Sequence, residues 1–220
     1  MDTVKKDLND TKTFAPKNAV RVVTAASLFD GHDASINLMR RLLQDMGAEV
    51  IHLGHNRSVL DVVTTVLQEG AQAVAISSYQ GGHMEYFKYM KDLLDEAGAS
   101  YVKIWGGGGG VIIHEEKKEL EDYGIAQVFH PDDGRRLGLD GMIKMIVEKS
   151  DFDLGDAAKK AGYKKTELSL RNELPHRLLG VALTAIEKGT EIPKEVLDGL
   201  QGFKRKAKSA PLVLGVTGTG

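Results

Sequence analysis

An acid and an imidazole stand one residue apart in the stretch Asp30-Gly31-His32-Asp33-Ala34-Ser35. A carboxylate bonded to one ring nitrogen fixes the tautomer and turns the other nitrogen towards a metal, so Asp30 and His32 have the types and spacing of an oriented metal ligand. A lone loop histidine is also commonly just solvated, and the pair alone leaves both readings open. The other histidines, His52, His55, His83, His114, His130 and His176, offer no pair with zinc-ligand spacing and a third ligand. The chain has no cysteine, which excludes thiolate metal sites, disulfides and cysteine nucleophiles together.

Two further stretches have useful chemistry. Ser77-Ser78-Tyr79-Gln80-Gly81-Gly82-His83 offers hydroxyls beside glycines, and Gly106 to Gly110 is an unbroken glycine run. Such a run removes the side chains from one wall and lets a flat group lie on backbone. It is equally the composition of a flexible connection.

Positioning these stretches requires a scaffold, and the hydrophobic pattern supplies one. Strand-like runs are predicted at 20–25, 49–53, 73–77, 101–105 and 126–129, alternating with helical patterns at 34–46, 59–69, 83–97, 113–123 and 135–147. In the first helix Ile36, Leu38, Met39, Leu42, Leu43 and Met46 carry the period. Gly47, Gly70, Gly98 and Gly124 each fall just past a helix, where glycine is preferred. Strict alternation implies an α/β fold, a doubly wound, flavodoxin-like (Rossmann-type) five-stranded parallel sheet of order 2-1-3-4-5. In that fold the loops after strands one, three and four meet at the carboxyl edge of the sheet, beside the switch in strand order where ligands bind. These are the three stretches above.

Residues 1–18 read as a polar lead-in, 19–150 as the sheet domain and 151–210 as a helical linker. In the linker Leu178, Leu179, Ala182, Leu183 and Ile186 form a predicted apolar stripe, and Pro193 opens a second helix through Leu200. A basic patch, Lys204, Arg205, Lys206 and Lys208, precedes a predicted strand, Leu212 to Val216, that runs into Gly218-Thr219-Gly220. Residues 211–220 read either as the start of a phosphate-binding loop or as a glycine-rich tail. The net charge of −2 and pI near 6.4 favour neither nucleic acid nor an anionic membrane as partner. No run approaches a membrane span and Met1 to Lys17 lacks a signal-peptide core, so a soluble, cytoplasmic protein is expected.

Asp30-Gly31-His32, Ser77 and Gly109-Gly110, in this order and on these loops, resemble the Asp-x-His-x-x-Gly, Ser-x-Leu and Gly-Gly signature of cobalamin-binding domains. The resemblance covers Arg21 to Glu148 and is strongest to the adenosylcobalamin-dependent acyl-CoA mutases, in which a histidine replaces the cofactor's own base on cobalt. It implies His32 as the cobalt ligand, Asp30 as its hydrogen-bond partner, Ser77 in contact with the displaced nucleotide tail, and Gly109 and Gly110 lining it. Gly31, Asp33, Ser35, Tyr79 and Gly82 complete the implied cofactor contacts. Ser35 stands where the motif has glycine, Tyr79 where it has leucine, and Ala26 where methylmalonyl-type mutases have a lysine.

The order of cobalamin domain, helical linker and phosphate-loop start resembles the fused isobutyryl-CoA mutases, where a GTPase chaperone precedes the substrate barrel. That resemblance implies interconversion of isobutyryl-CoA and n-butyryl-CoA, with no catalytic residue in this segment. It also implies GTP and Mg in a downstream domain, acyl-CoA in a barrel domain, and a homodimer. The alternatives are a stand-alone cobalamin carrier or sensor, which usually has a helical bundle ahead of the sheet, and a receiver-type signalling domain. The second needs a phosphorylatable aspartate where Ser77 and Ser78 stand.

Overall fold

Apolar runs too short to be helices and buried on both faces pair most efficiently as central parallel strands. The computed structural model describes residues 15–162 and 176–204. Its sheet consists of β1 (Arg21–Ala26), β2 (Glu49–His52), β3 (Ala73–Ser77), β4 (Lys103–Gly107) and β5 (Gln127–Phe129), all parallel, in the order β2-β1-β3-β4-β5. Strand parity divides the core. Val23, Ala25, Val74, Ile76 and Ile104 pack on α2 (Val59–Glu69), α3 (His83–Glu96) and α4 (His114–Tyr123). Val22, Ala73, Ala75, Trp105 and Phe129 face α1 (Ala34–Asp45) and α5 (Pro131–Ser150), with Trp105 stacked on Phe129 at 6.0 Å between ring centroids.

Local chemistry places most helix ends. Ser58 caps α2 by accepting the Asp61 amide at 3.1 Å, and Gly70 closes it in the left-handed conformation. Helix α5 starts at Pro131, four positions ahead of the predicted Arg135, because His130 and Asp133 form a reciprocal cap around an N-terminal proline. It bends at Gly138, whose backbone is not helical. In α1 the predicted apolar period is only partly buried, with Leu38 exposed and Ile36 and Leu43 in the core.

The fourth strand departs most from expectation. It runs Lys103–Gly107 rather than 101–105, in register with Ala73–Ser77 of β3, so the first two glycines of the run are strand residues. Glycine is a poor strand former, but here neighbours on both sides, Ile76 and Ser77 of β3 and Val128 and Phe129 of β5, provide the ladder. The run then turns through a single 3₁₀ turn, Gly109–Val111.

Beyond α5 lie α6 (Leu154–Ala161), α7 (His176–Glu187) and α8 (Lys194–Lys204). The predicted stripe on α7 is corrected: Val181, Ala182 and Ala185 are buried, while Leu179, Leu183 and Ile186 are exposed. The reason is backbone proximity. A Cβ on Gly180 would lie 3.0 Å from the Leu67 carbonyl and 3.3 Å from the Gly70 Cα, so α7 rests on the end of α2 through two glycines, and its small-residue face turns inward. Arg21 secures this contact by donating to Glu187 of α7 at 2.6 Å and to the Glu69 carbonyl at the end of α2 at 3.4 Å. The lead-in up to residue 14, the basic residues after Lys204, and the predicted strand Leu212 to Val216 with its glycine turn lie outside the described residues. Among the described residues no helix is long and apolar enough to cross a membrane.

Gly108 shows how tightly the glycine run is held. A Cβ there would lie 1.8 Å from the Ser78 carbonyl oxygen, whereas one on Gly110 meets nothing within 4 Å. Gly108→Ala is expected to lower stability by about 1–3 kcal/mol or more, and Gly110→Ala by less than about 0.5 kcal/mol. Urea unfolding followed by circular dichroism measures both. Equal midpoints for the two variants would show that the loop relaxes freely.

Candidate functional site

The loop after β1 is built around one buried acid. Ser27 bridges to Arg57, the Asp30 amide returns to the Ser27 carbonyl at 3.1 Å, and Phe29 takes a positive φ to make the turn. The Asp30 side chain is fully buried. One of its oxygens, Oδ1, accepts the His32 amide at 2.8 Å and faces the His32 ring nitrogen Nδ1 at 2.9 Å, while Oδ2 accepts the Tyr79 amide at 2.5 Å. Burial by itself pushes the Asp30 carboxyl up. The bonds from the Tyr79 amide, the His32 amide and the His32 ring outweigh it, and the group sits below the ordinary carboxylate range.

An ionised carboxylate only accepts, so Nδ1 of His32 is the donor, and in the neutral ring the lone pair is on Nε2. The His32 side chain is 73% exposed. Tyr79 flanks it at 5.3 Å between ring centroids and shares a 3.1 Å hydroxyl contact with Ser35. A basic nitrogen on an oriented ring, facing outward at the carboxyl edge of a parallel sheet, is suited to binding a metal centre that approaches from solvent.

Beside this loop a cavity of about 350 Å³ opens between the sheet and helices α1 and α5. Its floor is Ala75, Ser77, Trp105 and the backbone of Gly106 to Gly109, and Met39, Leu139 and Met142 belong to its helical walls. Strand parity explains the floor: Ser77 pairs with Gly107, both on the face shared by Trp105 and Phe129. Within this apolar slot Ser77 Oγ and Trp105 Nε1 are buried and have no hydrogen-bond partner among the described residues. A buried polar atom left unpaired costs roughly 1–3 kcal/mol. Two such residues in the lining of an otherwise apolar slot, with bare glycine backbone beside them, suit a flat ligand that is largely apolar and able to hydrogen-bond. The benzimidazole base at the end of a cobalamin's nucleotide tail has those properties.

The fold therefore brings Asp30, His32, Ser35, Ser77, Tyr79 and Gly109 to one corner, with Gly31 and Asp33 exposed on the same loop. Gly82 stands at the start of α3, away from the cavity lining, and Gly110 is exposed on the 3₁₀ turn with open space around it. The glycines that line the slot are Gly106 to Gly109 and, on α5, Gly134. Sequence reasoning missed Trp105 and Met142, and of the run Gly106 to Gly110, which it singled out as a wall, it named only Gly109 and Gly110 as cofactor contacts. Parity counted from Ser77 across the ladder would have found Gly107 and Trp105, but only with β4 in its true register.

The chain matches the B12 binding domain family over residues 20–134. It is 54% identical over 205 residues to a fused isobutyryl-CoA mutase of Cupriavidus metallidurans, covering 93% of this chain and 18% of the relative. To the fused isobutyryl-CoA mutase of Geobacillus kaustophilus it is 67% identical over 139 residues, 63% of this chain and 13% of the relative. The chain thus spans less than a fifth of the length of these relatives. It also aligns with 94% of the 2-hydroxyisobutanoyl-CoA mutase small subunit of Aquincola tertiaricarbonis at 28% identity, over 59% of this chain. Among solved structures, a cobalamin-binding protein from Desulfitobacterium hafniense superposes with a TM-score of 0.50 at 21% identity, covering 60% of each chain, a likeness of fold. With a parallel sheet in the order 2-1-3-4-5, an outward imidazole at its carboxyl edge and a family match over more than half its length, this chain belongs to the B12 binding domain family.

Proposed function

We propose that this chain is the cobalamin-holding part of an adenosylcobalamin-dependent acyl-CoA mutase of the isobutyryl-CoA and n-butyryl-CoA type, with His32 as the cobalt ligand. The reading rests on one observation: an imidazole pinned through Nδ1 to a buried acid stands beside an apolar slot floored by Ser77, Trp105 and bare glycine backbone. The similarity to fused isobutyryl-CoA mutases supports the substrate class.

When bound, the cofactor supplies a weak cobalt–carbon bond as the source of the substrate radical. The chain's own residues bind and orient. Asp30 holds the His32 ring so that Nε2 faces outward, and its two backbone bonds keep the carboxylate ionised and the ring tautomer constant. Ser77 and the glycine floor receive the displaced tail, and Tyr79 covers the join between loop and slot. Asp33 and Gly31 shape the exposed part of the loop, and Gly82 and Gly110 act only as backbone at its margins.

On this reading, the acyl-CoA binds a barrel domain and GTP with Mg a downstream GTPase domain, of which residues 211–220 are the opening after a helical linker. The intact protein is a cytoplasmic homodimer.

Two measurements test the site. Electron paramagnetic resonance of the cob(II)alamin-loaded chain, prepared with ¹⁵N-histidine, should show nitrogen coupling from protein, and His32→Ala should abolish it. Coupling that persists in the variant would falsify the ligand assignment. Separately, a Cβ on Gly107 makes only ordinary contact, 3.7 Å from the Phe129 carbonyl, on the cavity face. Gly107→Val should therefore weaken cobalamin binding by about one to two decades, equivalent to roughly 1–3 kcal/mol, with little change in stability. Gly110→Val should leave affinity unchanged. Calorimetric titration of both variants decides where the tail runs, and an unaffected Gly107→Val protein would place it elsewhere.

A further inference from the structure

Histidine spacing in the sequence shows no zinc pattern, yet the fold assembles a three-ligand cluster away from His32. His114 at the start of α4, His130 before α5 and Asp132 within its first turn offer ligand atoms that lie within 4.8 Å of one another. Asp132 Oδ2 is 3.2 Å from His114 Nε2 and 3.1 Å from His130 Nδ1. The two rings lie 4.1 Å apart between centroids.

Two features make this more than a chance ion pair. The first is the second oxygen of the acid: Oδ1 of Asp132 lies 3.2 Å from the Arg135 guanidinium, which leaves Oδ2 turned towards both imidazoles. The second concerns His130 Nδ1, which accepts the Asp132 amide as the helix cap at 3.3 Å. A nitrogen that accepts an N–H has a lone pair and no proton, so it cannot also donate to Oδ2. Two acceptors consequently face each other at 3.1 Å. A cation between them removes that repulsion and disturbs only a long amide contact.

We propose that His114, His130 and Asp132 form a binding site for a divalent transition metal, of the zinc type, distinct from the proposed cobalt ligand. Imidazole and carboxylate bind Zn²⁺ at about 2.0–2.2 Å, which in a tetrahedron sets ligand atoms about 3.3 Å apart. Both edges through Asp132 already have that length. The remaining edge closes by rotation of His114, whose side chain is 64% exposed, and water takes the fourth position. The ion would join the start of α4 to the start of α5. Because His130 and Pro131 line the slot, it would brace the slot's outer lip. This inference does not depend on the cobalamin reading.

The test is calorimetric titration of Zn²⁺ into the chelator-treated, cobalamin-free chain. One ion per chain is expected. Loss of an outer-shell partner costs metal sites roughly 10–100-fold, so removing a direct ligand should cost at least tenfold. His114→Ala and the near-isosteric Asp132→Asn should each do so while the circular dichroism spectrum stays unchanged. His32→Ala should bind Zn²⁺ as the unsubstituted chain does. The proposal is overturned if that chain shows no saturable binding, if both cluster variants retain its affinity, or if His32→Ala alone abolishes it.

Discussion

The site corner depends on burying one carboxylate. Removing Asp30 from water costs several kcal/mol unless its oxygens are paired. Three donors pair them: the His32 amide, the Tyr79 amide and the His32 ring. Charge-assisted bonds of this kind contribute roughly 1.5–3 kcal/mol each, so the three together offset a burial cost of several kcal/mol. Two of the donors come from the loop after β1 and the third from the loop after β3. One acid therefore locks together loops that adjoin side by side only because β1 and β3 are neighbours in the sheet.

Beside this lock the glycine run performs two separate tasks. Gly106 and Gly108 admit close neighbours: a Cβ on the first would meet the Phe87 ring at 2.7 Å, and one on the second the Ser78 carbonyl. Gly107 leaves the floor of the slot bare between Ser77 and Phe129. Packing and ligand space thus alternate along one strand, one face each, as the pleat requires. The cost falls on Ser77 and Trp105, two lining residues whose buried polar atoms have no partner among the described residues. A domain that keeps such groups unpaired is less stable than its packing permits and is stabilised by whatever fills the slot.

The helical region after α5 is more closely joined to the sheet domain than its composition suggests. Close approach of α7 to α2 through Gly180 and Gly70 puts the small residues inside, and Arg21, from the first strand, reaches across to Glu187. Lys188 in turn binds Asp153 at 2.6 Å and Asn18 at 3.1 Å. These contacts join the start of α6 and the end of α7 to the edge of the sheet.

Periodicity and punctuation in the sequence were enough for the fold class, the strand order, the ends of α2 and β3 and the start of α3, because each depends on local alternation and on caps a few residues long. The pairing of Asp30 with His32 was legible for the same reason. What the sequence did not determine was anything set by residues distant along the chain. Glycines entered β4 because β3 and β5 offered ladders, against their own propensity. Trp105 and Gly107 joined the slot through that shifted register. The exposed leucines of α7 and the meeting of His114, His130 and Asp132 likewise follow from how helices pack across the sheet. Spacing encodes what a residue does within its own turn or strand, whereas the neighbours supplied by another element exist only once the sheet has closed.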